Sequence, residues 1–244
     1  MKKFLALIAM FSCAMLTGCD KQTISLPHRA QQIESLAISP FGELALIGKT
    51  SKGEKLVWVL SDPPEGKSQR RPVWLTRDVS SKGQPLRLGW KCFDLLVLAE
   101  RDGKRDVYDI HGNQITQFGD VQDFAASSRH LLVLRPTAKG CGLQWKSWKG
   151  EQKWQEPVAR IGSILRVALH GTTAFWIERS PADQPWFLCC DLETRAVSHV
   201  TNIPLEEDVS ISEDAKWGAI LDRNRGQIQR WHREQTAPTS AQKK

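Results

Sequence analysis

The chain is expected to be all-β, built from a repeated unit of short strands. Three observations predict this. Apolar runs of four or five residues recur along the chain, separated by turns rich in Gly, Ser, Lys, Arg and Asp. The runs fall into five copies. With Ser39, Gly89, Ser128, His170 and Ser212 as equivalent turn positions, the spacings are 50, 39, 42 and 42 residues. No sustained i, i+3, i+4 apolar stripe occurs beyond the amino-terminal segment, and scattered Pro and Gly fit turns. A period of about 40–45 residues made of short strands is the pattern of propeller blades. A β-sandwich, or two small β-domains, is the alternative that regular strand spacing also allows.

Each copy opens with a run that reaches a small or polar turn. The first copy runs 36–43, then 44–47, turns at 51–53 and returns over 56–60. The second runs 86–90, 95–98, turns at 101–104 and returns over 106–110. The third covers 121–128, 131–134 and 143–145; the fourth 165–171, 174–177 and 186–191; the fifth 209–214, 217–221 and 228–231. The middle run of every copy is almost wholly apolar, as suits a strand buried on both faces between stacked sheets. The charged, Gly-bearing segments that follow it suit hairpins. A fourth strand is expected at 71–76, 114–118, 153–154 and 196–201. The fifth copy has none and leads into a polar tail, 233–244. Residues 22–26 instead offer an amino-terminal strand that would complete the last blade and remove an open edge. The expected fold is therefore β-propeller-like, with about five four-stranded blades.

The turns Ser39-Pro40-Phe41-Gly42 and Ser212-Glu213-Asp214-Ala215 resemble the Ser-Pro-Asp-Gly turn of TolB-type propeller repeats. The wider pattern is similar to TolB-type and WD-type repeats over residues 22–232. Copies two to four lack the full turn motif, and no Trp-Asp dipeptide occurs.

The amino terminus speaks to location. Lys2 and Lys3 precede an apolar run over 4–15, which is too short for a spanning helix of about 20 residues and fits the core of an export signal. Leu16-Thr17-Gly18-Cys19 follows and resembles the lipobox of bacterial lipoproteins. The resemblance implies cleavage before Cys19, diacylglycerol on its thiol and a fatty acid such as palmitate on its amine. An ordinary secretory signal with a chance cysteine is the alternative. Asp20, next to the lipidated residue, resembles the signal that keeps such proteins in the inner membrane of enteric bacteria, facing the periplasm; the outer membrane is the alternative. The expected organisation is a signal peptide over 1–18, a periplasmic domain over 19–232 and a disordered tail over 233–244.

Export would place Cys92, Cys141, Cys189 and Cys190 in an oxidising compartment, where they are candidates for two disulfides, with buried free thiols as the alternative. No CxxC, HExxH, GxSxG or Gly-rich phosphate loop occurs. No metal site and no cofactor are expected. His111-Gly112 and His170-Gly171 read as turns, and Glu206-Glu207-Asp208 as a solvated loop. A hydrolase with residues gathered from separate loops would need His111 and His170 to meet acids in one pocket.

Ten Trp stand against one Tyr. Trp58, Trp176, Trp186 and Trp231 lie in apolar strands and are expected in the core. Trp145, Trp148 and Trp154 are interleaved with lysines and form the candidate interface, for a protein or a membrane surface; covering seams between blades is the alternative. The formal charge is +7 and falls to +5 when the two signal-peptide lysines are removed. Export argues against a nucleic-acid partner, and 68–71 with Lys243-Lys244 face anionic lipid or solvate loops. The expected function is a non-enzymatic, membrane-anchored periplasmic lipoprotein that binds envelope proteins, as an accessory to envelope assembly, secretion or pilus building. By analogy, other lipoprotein propellers act as scaffolds in outer-membrane protein assembly. A carbohydrate- or peptidoglycan-binding module using exposed Trp is the alternative.

Overall fold

The computed structural model describes residues 20–61, 72–137, 140–148, 152–154, 163–170, 173–179, 185–191, 197–200, 209–211 and 216–232. The signal segment with Cys19, the basic run 68–71, the acidic cluster 206–208, the turn 212–215 and the tail 233–244 lie outside them.

Among the described residues, nineteen strands follow in chain order: β1 Asp20–Ser25, β2 Gln32–Ile38, β3 Leu44–Lys49, β4 Lys55–Ser61, β5 Val73–Arg77, β6 Gln84–Lys91, β7 Asp94–Arg101, β8 Lys104–Asp109, β9 Asp123–Ala126, β10 His130–Thr137, β11 Gly140–Ser147, β12 Gln152–Trp154, β13 Ser163–His170, β14 Thr173–Arg179, β15 Pro185–Asp191, β16 Val197–Val200, β17 Val209–Ile211, β18 Trp217–Asp222 and β19 Gln227–His232. One 3-10 turn, Ser80–Lys82, precedes β6. The strands form five antiparallel sheets: β2–β5, β6–β8, β9–β12, β13–β16, and a last sheet in the order β1-β19-β18-β17. The all-β expectation holds. The amino-terminal strand pairs with the final strand in register from Asp20↔His232 to Ser25↔Gln227.

The strictly two-residue period of a strand explains how the sheets stack. Leu44 and Leu46 of β3 enter one core cluster, with Trp58, Leu60, Ala219, Leu221 and Ile228. Ala45 and Ile47 enter the next, with Leu88, Leu95 and Val97. Along β7, Leu95 and Val97 face that second cluster while Leu96 and Leu98 face a third, with Phe124, Leu131 and Val133. Along β10, Leu131 and Val133 face the third cluster while Leu132 and Leu134 face a fourth, with Leu143, Trp145 and Val167. β3, β7 and β10 thus each feed two cores, which is why their sequences are apolar without alternation. Each fully buried Leu contributes about 1.5–3 kcal/mol.

The first strands of the sheets lie side by side, β17 with β2, β2 with β6, β6 with β9 and β9 with β13. Ser210 Oγ accepts a hydrogen bond from the Ile38 amide at 3.1 Å, tying β17 to β2. Arg87 of β6 ion-pairs with buried Asp123 of β9 at 3.0 Å, and Asp123 also accepts the Val167 amide of β13 at 2.9 Å. Three first strands are held by one carboxylate. The register shifts in three first strands at corresponding places, between Ile33 and Ser35, Pro85 and Arg87, and Ile164 and Arg166. Such bulges bend and twist a strand where it passes close to others.

Three sequence expectations are corrected. Gly89 is inside β6, and the turn falls at Cys92-Phe93; position 89 is a glycine because the ring of Phe124 lies where a β-carbon would collide. Ser127, rather than Ser128, is the counterpart of Ser39: each is buried, and its hydroxyl accepts amides within its own turn. The strand expected over 114–118 is not formed as a regular ladder: it makes the Tyr108↔Gln114 bridge, and the Ile115 and Thr116 amides both donate to the Val107 carbonyl, at 2.7 and 3.3 Å. Side chains complete its attachment. Asp106, 5% exposed, accepts Thr116 Oγ1 at 2.9 Å, the Phe118 and Gly119 amides at 2.9 and 3.0 Å, and Gln114 Nε2 at 3.0 Å. Thr116 Oγ1 in turn accepts the Val107 amide at 2.8 Å. Of the hairpins, Asp102-Gly103 has positive φ at both residues, 52° and 72°, as the twist of a two-residue turn requires.

Candidate binding surfaces

A line of aromatic side chains crosses one end of the molecule. In the last sheet, Trp217 at the start of β18 stacks on His232 at the end of β19, with ring centres 4.3 Å apart. Trp217 also lies against Gly42 in the β2–β3 turn, where a β-carbon would fall 2.7 Å from the indole. Gly42 adopts φ 84°, which only glycine takes up without strain. Arg230 clamps this junction: Nη1 donates to the Gly42 carbonyl at 2.8 Å, Nε donates to Gln22 Oε1 of β1 at 3.1 Å, and Nη2 donates to the same Gln22 oxygen.

Ser39 shapes the neighbouring turn by accepting the Phe41 and Glu43 amides at 3.1 and 3.0 Å. Phe41 is thereby presented to solvent, 51% exposed. Its ring stacks on Phe93 of the β6–β7 turn, 65% exposed, at 3.8 Å and 7° from parallel. Beyond Phe93 lies Lys91, whose Nζ sits 4.7 Å from the Trp148 ring centre. Trp148 follows β11 and donates its indole N–H to the Ser127 carbonyl at 2.8 Å. Lys146 Nζ lies 5.9 Å from the same ring and donates to the Ile115 carbonyl at 3.1 Å. Burial holds the Lys146 ammonium below the ordinary lysine range.

A second surface is a groove of about 710 Å³ between the edge strands β1 and β5, lined by Gln22, Ile24, Leu26, Val73 and Trp74 among others. Trp74 Nε1 spans it and donates to the Ser25 carbonyl at 2.8 Å. On β5, Val73 is 58% and Leu75 41% exposed. Few soluble proteins leave apolar side chains on an edge strand, because it templates pairing with another chain.

Of the residues singled out from sequence, Cys19 lies outside the described residues and Asp20 opens β1. Trp145 is 8% exposed and packs between the β9–β12 and β13–β16 sheets, so it is a seam residue and not part of an exposed interface. Strand alternation is the reason: Trp145 shares a face with Leu143, and Lys146 takes the other. Trp148 is half-buried at the turn-bearing end, and Trp154 ends β12, paired with Gln144. Cys92 lies half-buried in the β6–β7 turn with its thiol free, the alternative to a disulfide. Cys141 pairs with Pro136, and Cys189 and Cys190 with Phe175 and Ala174; their side chains lie outside what is described. His111 follows β8 and His170 ends β13, two sheets on. Among the described residues, no three His, Cys, Asp or Glu side chains are grouped to hold a metal ion. The Phe41–Phe93 stack and the β5 edge were missed. The signal for the first was a Phe in a turn otherwise made of small and polar residues.

No family model and no curated protein matches the sequence. Among solved structures, TolB from Acinetobacter baumannii aligns with a TM-score of 0.54 at 14% identity, over 86% of this chain and 56% of that one. The chain thus spans about half of TolB. A puromycin-hydrolyzing peptidase of Mycobacterium tuberculosis aligns with a TM-score of 0.49 at 19% identity, over 72% of this chain and 30% of that one. The TolB likeness defines the class by fold: this is an all-β protein with a TolB-like, propeller-like arrangement of sheets.

Proposed function

We propose that the chain is a lipid-anchored envelope protein whose five sheets are the blades of a small propeller closed by β1, and that it works as a non-enzymatic scaffold for other envelope proteins on the periplasmic side. The export signal and lipobox-like segment ending at Cys19 support the anchor. Asp20 supports retention at the inner membrane. The fold shared with TolB supports a rigid frame for presenting binding surfaces. Accessory roles in envelope assembly, secretion or pilus building all need such a frame.

The observation that carries the binding reading is the apolar outer edge of β5 beside the groove it shares with β1. An extended polypeptide segment adds there as a further strand, its backbone pairing with β5 and its apolar side chains meeting Val73 and Leu75. The test is a photoreactive residue at Leu75 in cells, with mass spectrometry of the captured species. Envelope polypeptides are expected, lost when Val73→Asp is added. Capture of glycan fragments, or capture indifferent to Val73→Asp, would contradict the reading.

A further inference from the structure

Strand direction fixes which features share an end. Asp20 at the start of β1, His232 at the end of β19 and Trp217 at the start of β18 are register partners at one end of the last sheet. From there a row of contacts joined by chain neighbours follows: His232 on Trp217, Trp217 on Gly42, Phe41 on Phe93, and Lys91, two residues before Phe93, on Trp148. The line crosses four sheets.

The other end is different in kind. Its hairpins, 51–54, 101–104 and 223–226, present Lys52, Glu54, Arg101, Asp102, Lys104 and Arg225, all exposed, and none of the large exposed hydrophobics.

The chain also dictates where a lipid would sit. Asp20 is already paired within β1, and Cys19 is the residue bonded directly to it in the chain. A fatty tether on Cys19 would emerge at the aromatic end. Tethering so short turns contact with the bilayer into an intramolecular event, so a modest patch suffices. Exposed Phe suits the headgroup–acyl boundary, and a Trp flanked by cations suits headgroup level. Lys21, Lys91 and Arg129 supply cations toward anionic headgroups, with Asp20, Glu43, Asp94, 3.7 Å from Lys91, and Asp109 the opposing charges at the same end.

We propose that the end carrying Phe41, Phe93 and Trp148 is seated on the bilayer that holds the anchor, so that the charged hairpins point away from it. This rests on the reading of Cys19 as lipid-bearing.

The test uses the full chain, processed in cells and reconstituted in vesicles of phosphatidylethanolamine and phosphatidylglycerol. A diazirine amino acid is placed singly at Phe41, Phe93, Lys52 and Asp102. All four positions are exposed, so no core contact is lost, and the urea midpoint of each variant shows that it is folded, including at Asp102, where φ is 52°. Lipid adducts are expected at 41 and 93 and only background at 52 and 102. Equal labelling at all four, or none at 41 and 93 while Cys19 carries fatty acid, overturns the seating and leaves the tether standing. In whole envelopes, protein adducts in place of lipid at 93 overturn it equally, and reassign the face to a partner. Cys19 without fatty acid, read by mass spectrometry on the same sample, overturns the tether and the seating with it.

Discussion

Phe41 and Phe93 stack at 3.8 Å although 52 positions and a sheet boundary separate them, and each keeps half or more of its surface in water. A buried stack is explained by the core. An exposed one across two turns is a feature of the surface, and it supports the assignment of that end to binding.

Phe93→Ser is accordingly expected to change stability little, because only the aromatic pair is lost, worth about 0.5–1.5 kcal/mol. Urea unfolding of the purified chain checks this. A loss well beyond that range would make the stack a structural element.

Leu46→Ala is expected to destabilise by about 2–5 kcal/mol, since Leu46 is wholly buried between the last sheet and the β2–β5 sheet. The same unfolding measurement applies. If sheets stack as described, Ile47→Ala should also destabilise, through the opposite core.

These cores are the part of the fold most legible in the sequence. Leu44 to Ile47 and Leu131 to Leu134 read as doubly buried strands, and the structure splits each between two clusters. Turns were less legible. Gly89 looks like a turn residue, but its lack of a side chain serves the approach of Phe124 instead. Asp106 and Thr116 follow no strand period that marks a buried carboxylate, because what makes them a pair is a chain reversal, not spacing. At the surface, the lysines around Trp145 drew attention to a stretch whose alternation already placed Trp145 inward. Trp148 escaped that rule only because it lies past the end of β11.

Asp106→Ala is expected to leave the Thr116 hydroxyl and the Phe118 and Gly119 amides without their acceptor, at about 1–3 kcal/mol for a buried group left unsatisfied. Hydrogen exchange should rise at the Phe118 and Gly119 amides first. Unchanged protection there would mean the carboxylate does not hold the segment.

Acid stability is expected to depend on Glu34. Burial raises its carboxyl, but hydrogen bonds and charge from Lys49 and Lys55, at 2.8 and 2.7 Å, outweigh that and hold it below the ordinary carboxylate range. The unfolded chain therefore binds this proton more readily. The contribution is present above the unfolded carboxyl's range and is lost as pH falls through the lower folded value. Glu34→Gln should flatten the fall of urea midpoint on the acid side; an unchanged slope would contradict the pairing.

Mass spectrometry of the amino-terminal peptide from membrane-extracted protein tests most directly whether the domain is held at the bilayer by its first strand. A peptide beginning at Cys19 and carrying diacylglycerol and an amide-linked fatty acid is the predicted result. A peptide beginning at Met1, with the cysteine unmodified and the protein in the soluble fraction, would contradict it.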